Sequence, residues 1–118
     1  MAANDYHVVV YQILAYLYNC LKDGKEVNLH SIENFKDDNN INEKYWQYIL
    51  KHLHESGLIE GVTPVIFIGG RGLKCTADFA ITPLGIDYLA ENSNMQKAKQ
   101  AVLKALKTAA PSIIDNLF

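Results

Sequence analysis

His7, His30, His52 and His54, with Cys20 and Cys75, are the side chains of this 118-residue chain whose types could hold a metal or act as nucleophile and base. Their spacing argues against both. His52 and His54 stand two apart in an amphipathic stretch, and on a helix they point about 200° away from each other. An i, i+4 pair could share a zinc ion, and this pair cannot. His7 and His30 have no cysteine or carboxylate at a recognised spacing. Cys20 and Cys75 form no CxxC pair, so they read as small buried hydrophobes of a reduced intracellular chain. The run GGRG at 69 to 72 lacks the lysine and hydroxyl residue of a phosphate loop, and its glycines serve a turn instead. Asp37-Asp38 precedes two asparagines without the glycine and closing glutamate of a calcium loop. No catalytic residue, metal site or cofactor is expected, and the chain reads as a non-enzyme.

The chemistry that remains is recognition. Lys44, Gln47, Tyr48 and Lys51 share the outer face of one helical stretch, and Arg71 with Lys74 follows in a hairpin. On double-stranded DNA the glutamine could read an adenine edge while the lysines hold phosphate or guanine, and Arg71 and Lys74 could reach a phosphate or the minor groove. Two lysines, a glutamine and a tyrosine are also what a solvated helix face ordinarily shows. Charge is divided on the point. The net charge is −2, which excludes a protein held to nucleic acid by bulk electrostatics. Residues 23 to 43 carry six acids and two lysines, residues 94 to 110 carry four lysines and no acid, and Arg71 is the only arginine. A DNA surface would have to be local.

These residues need a scaffold, and hydrophobic spacing supplies one. Asn4 or Asp5 can cap a first helix whose face is Tyr6, Val9/Val10, Ile13/Leu14, Leu17 and Leu21, ended by Gly24. In LHSIENF, Leu29, Ile32 and Phe35 mark a second helix too short to stand alone, and DDNN reads as a turn. A third helix starts at Asn42, or at Asn40 in a capping box with Glu43, and buries Tyr45, Trp46, Ile49, Leu50 and Leu53. Gly57 stops it. The β-branched run Val65 to Ile68, the GGRG turn with Arg71 at its tip, and the alternation from Leu73 to Ile81 give a β-hairpin, with Pro64 at an edge. Thr82-Pro83 opens a fourth helix with Ile86 and Leu89 facing inward. Ser93 with Gln96 opens a fifth, running to about Ala110 before Pro111.

The fold expected is α+β: a winged helix-turn-helix, three helices plus a two- or three-stranded β-wing, followed by two C-terminal helices. Residues 1–118 form a single domain, with 1–92 the winged-helix core and 93–118 a helical extension. The last helix has an apolar face that either completes the core or pairs with a second copy through Met95, Val102 and Leu106; such a homodimer could place two third helices on two DNA half-sites. Tyr6 to Leu21 is too polar for a membrane span, and no leader precedes it, so a cytoplasmic protein is expected.

The segments INEKYWQYILKHLHESGLIEGV and ITPLGIDYLAENSNMQKAKQAVLKALK resemble the YjcQ family of small proteins from Gram-positive bacteria and their phages and prophages. The resemblance covers about residues 6 to 108 and is carried by Ile81-Thr82-Pro83-Leu84-Gly85, Tyr88-Leu89, Glu91-Asn92 and the lysine-rich final helix. It implies a winged-helix-like α+β fold with extra C-terminal helices, in a bacterial host cell. It carries over no catalytic residue, although a role in the phage head has been suggested for viral members. Met95 stands where the family has a tryptophan, which makes the packing of the last helix the point to inspect. Two functions follow. One is a DNA-binding regulator of phage or prophage type; the other is a non-catalytic protein-interaction module, such as an accessory of phage structure or assembly.

Overall fold

The computed structural model describes residues 5–106, with side chains to Lys104. Five helices and one antiparallel pair of strands follow in the order α1 (Tyr6–Asp23), α2 (Leu29–Asp38), α3 (Glu43–Glu55), β1 (Ile59–Phe67), β2 (Gly70–Ile81), α4 (Pro83–Glu91) and α5 (Ser93–Leu106). The class is α+β.

α1 is the axis of the core. Its valine run, Val8 to Val10, is buried along with Tyr11, Gln12, Ile13, Leu14, Ala15, Leu17 and Cys20. The helix is covered on more sides than one amphipathic stripe would need, because β2, α4 and α5 all pack on it. That burial outweighs the low helix propensity of the valines, a few tenths of a kcal/mol each. Leu21, expected in the buried face, is 57% exposed instead, while its neighbour Cys20 is buried.

α2 extends through Asp37 and Asp38, which were expected in a turn. Asn28 caps its start by accepting from the Ser31 amide at 3.2 Å, and the turn falls at Asn39-Asn40, with Asn40 at φ 57°. Asparagine tolerates that left-handed conformation better than most residues. α3 is capped by Asn42, whose side chain accepts from the Tyr45 amide at 2.8 Å, so the Asn40 capping box is not used. Of the expected inner face, Trp46, Ile49, Leu50 and Leu53 are buried and Tyr45 only half-buried, and Gly57 ends the run at φ 74°.

The hairpin turns at Ile68-Gly69, with Phe67 paired to Gly70. Arg71 therefore lies within β2, opposite Ile66, and the expected tip position belongs to Ile68-Gly69. The register shifts between Glu60 and Val62, where Gly61 at φ 80° sits so close to the Asp78 backbone that a Cβ has no room. Pro64 stands opposite Leu73. The Leu73 N–H and C=O both point away from β1, so the imino nitrogen of Pro64 interrupts no cross-strand bond and lies on the outer edge of the sheet.

Thr82 caps α4 by accepting from the Gly85 amide at 3.0 Å, and its hydroxyl donates to the Gly57 carbonyl, which ties the end of α3 to the start of α4. α5 is capped by Asn92, which accepts from the amides of Asn94 and Met95, rather than by the expected Ser93 and Gln96 pair. Met95, Ala98 and Val102 are fully buried against the core that α1 forms. The last helix therefore packs into the core through Met95, which is 0% exposed.

Candidate functional site

The outer face of α3 and the adjoining hairpin carry the residues that sequence reasoning selected, and the structure divides them into two groups. Lys44, Tyr48 and Lys51 are exposed on α3, and Arg71 and Lys74 are exposed on β2. Gln47 is different. Its amide nitrogen donates to the Leu73 carbonyl at 3.0 Å, and its oxygen accepts from the Leu73 N–H at 2.7 Å. The side-chain amide thus replaces a neighbouring strand for one residue of β2, and both of its hydrogen-bonding edges are occupied. It cannot also read an adenine without releasing the hairpin. In this structure its side chain acts as a clamp on the hairpin.

The clamp is the end of a longer chain of contacts. Gln47 also donates to Glu43 at 2.9 Å, and Glu43 accepts from Lys36 of α2 at 2.7 Å. Lys36 lies 3.6 Å from Glu33 as well. The hydrogen bonds from Lys36 and then from Gln47 hold the Glu43 carboxyl below its ordinary range. Burial works against the Lys36 ammonium, but the bond to Glu43 and the charges of Glu33, Glu43 and Asp37 outweigh it and raise its pKa. α2, α3 and β2 are therefore joined by one polar line, Lys36–Glu43–Gln47–Leu73.

Beside that line runs an apolar groove of about 660 Å³ between α2, α3 and the hairpin. Ile32, Trp46 and Leu50 form its helical side, and Val65, Phe67 and Leu73 its hairpin side. Glu33, Glu43 and Lys74 stand at its rim. At the same end of the hairpin, Ile66 is 82% exposed and Ile68 wholly so. Cys75 also borders the groove, where burial, and then the charge of Glu33, pushes its thiol up to about 12; it is protonated and a poor nucleophile at neutral pH. The groove escaped sequence reasoning, although a signal for it was present. Val65-Ile66-Phe67-Ile68 is apolar without alternation, and a two-stranded hairpin at the surface cannot bury both of its faces.

Tyr48 has neighbours of its own. Its ring lies 4.3 Å from that of His52 and meets Tyr6 edge-on at 6.1 Å, so it belongs to an aromatic cluster that joins α3 to α1. Met95 and Val102, expected at a dimer contact, are 0% and 2% exposed inside the single chain and leave no side-chain surface for a second copy. The third residue of that set, Leu106, has its side chain outside the described residues. Among the described residues no group of three metal-binding side chains is assembled, and no helix is long and apolar enough to cross a membrane.

These features define a small α+β protein in which a hairpin is locked onto the outer side of a helix and leaves an apolar groove open beside it. The sequence matches the family described as YjcQ protein over residues 11–109, and the chain belongs to that family. No curated protein and no solved structure matches it.

Proposed function

We propose that the three helices and the hairpin act as a winged-helix scaffold for a non-catalytic protein-interaction module, whose groove between α2, α3 and the wing receives an apolar segment of a partner protein. One observation carries this reading: Ile66 and Ile68 stand in solvent at the mouth of an apolar groove of about 660 Å³. Exposed isoleucines on a surface hairpin favour binding that covers them, whereas a phosphate backbone gains nothing from them. Pro64 on the outer edge of β1 opposes strand addition there, so side chains entering the groove are the expected mode. Panning a peptide library on the full chain tests this. Enriched peptides should share apolar pairs and lose at least about tenfold in affinity for the double variant Ile66→Lys, Ile68→Lys. Peptides that bind the variant as well as the native chain would refute the groove.

The DNA-binding regulator stands as a second reading, favoured by the exposure of Lys44, Tyr48 and Lys51 on one helix with Arg71 and Lys74 on the adjoining hairpin. It requires duplex binding that weakens steeply between about 50 and 200 mM salt and falls on Lys51→Glu or Arg71→Glu. Anisotropy with labelled duplex at low salt measures both, and a flat response removes this reading.

A further inference from the structure

A second cleft lies away from the groove, where α1, the end of α3 and α4 meet. It holds about 490 Å³, within the range of small-molecule sites. Its floor is apolar, built from Val10, Leu53 and Leu58, each buried. Tyr6, Tyr88 and His52 supply aromatic walls, and Tyr48 backs them by packing on both His52 and Tyr6. Asp87 and Glu91 stand at the rim, one turn apart on α4. No lysine or arginine borders the cleft, and neither carboxylate has an ion-pair partner among the described residues.

This combination is chemically one-sided. The faces of tyrosine rings are electron-rich and attract cations, most strongly where water is partly excluded. Two carboxylates one turn apart repel each other mildly and gain from a shared positive partner. The apolar floor favours a ligand with a hydrocarbon stem behind its charge. An anion would meet both carboxylates with no lysine or arginine in the lining to offset them. A purely apolar ligand would bring those carboxylates no partner. Burial, and then the neighbouring Tyr88, Tyr48 and Tyr45, raise the pKa of the Tyr6 phenol, so Tyr6 adds no full negative charge to the cleft at neutral pH.

We propose that the cleft between α1, α3 and α4 binds an organic cation on an apolar stem, the chemistry of a lysine or arginine side chain, with Tyr6 and Tyr88 against the stem and charge and Asp87 and Glu91 closing the pair. The proposal is independent of the α2–hairpin groove. Amide spectra of the full ¹⁵N-labelled chain, titrated with N-acetyl-arginine amide, N-acetyl-lysine amide and the neutral N-acetyl-citrulline amide, provide the test.

Saturable shifts confined to α4, the first turns of α1 and the end of α3 are expected for the two cations, with Kd on the order of millimolar for so small a probe. The citrulline probe should bind at least about tenfold more weakly. The double variant Asp87→Asn, Glu91→Gln should lose the cation response while keeping the native spectrum elsewhere, and Ile66→Lys, Ile68→Lys should keep it. A Gly-Gly-Arg-Gly-Gly peptide that binds more tightly than the single residue assigns the cation to a protein partner, and equal binding assigns it to a free small molecule. Equal response to citrulline, a response that survives the double carboxylate variant, or no saturable shift overturns the site.

Discussion

Gln47 shows how much one side chain can decide. Its amide makes two bonds to Leu73 at 3.0 and 2.7 Å, at a point where the strand has no further strand beside it. Gln47→Ala should leave both backbone groups to water or to nothing, at about 1–2 kcal/mol in urea unfolding, with faster hydrogen exchange at the Leu73 amide. Gln47→Glu should cost more. It keeps an acceptor for the Leu73 N–H but loses the donor to the Leu73 carbonyl and sets a second carboxylate against Glu43. If Gln47→Ala unfolds at the native urea midpoint, the clamp has no energetic role. Gly72 fits the same account, since a Cβ there would come within 2.6 Å of both the Gln47 oxygen and the Phe67 ring.

At the scale of elements, two junctions hold the hairpin side of the molecule. One is electrostatic. The Glu43 pKa is depressed, so its contribution is fully present above the ordinary value of 4.5 and is lost as pH falls through its lower folded value. The Lys36 pKa is raised, so its contribution is present below 10.5 and lost as pH rises through its higher folded value. Stability attributable to this pair is therefore flat between those limits. Glu43 is half exposed, so the loss at either end should be within about 1 kcal/mol and smaller in high salt. Chemical denaturation of the native chain and Glu43→Gln across pH 3 to 7 checks it, because the two curves should converge toward the acid end. The other junction is steric. Gly85 brings α4 against the Leu58 carbonyl and the Ile81 side chain, whose Cγ1 would lie 2.7 Å from an added Cβ. Gly85→Ala should cost about 1–3 kcal/mol by forcing α4 off β2 despite the better helix propensity of alanine, visible as a lower Tm. A raised Tm would mean that α4 shifts without cost.

For the whole molecule, α5 completes the core. Met95, Ala98 and Val102 are buried with α1, and removing a buried methionine side chain leaves a cavity worth about 2–5 kcal/mol. Met95→Ala should lower the Tm strongly without changing the sedimentation coefficient of the folded fraction. A variant that keeps the native Tm and changes only its state of association would return Met95 to an interface. With these α5 side chains in the core, the groove beside the hairpin and the cleft beside α4 remain open on different sides of α3. The acidic residues 23 to 43 supply Glu33 and Glu43 to the rim of the groove, which makes that face less suited to phosphate than the lysines of α3 alone would suggest.

Most of the fold was legible in the sequence, because helix caps, glycine stops and apolar periods are local properties. Asn42, Gly57 and Thr82-Pro83 mark their boundaries where they stand in the chain, and the inner face of α3 follows from spacing alone. The extension of α2 through Asp37-Asp38 and the choice of Asn92 over Ser93 as cap were less legible, since neighbouring polar residues compete for the same backbone groups. The candidate site was legible only as a set of exposed types. Whether Gln47 is a reader or a clamp depends on Leu73, 26 residues away, and whether Met95 faces a partner or the core depends on α1, at the other end of the described chain. Local order is written in sequence neighbours, whereas the availability of a side chain is set by what the fold brings against it, and for Gln47 and Met95 only the tertiary structure could decide that.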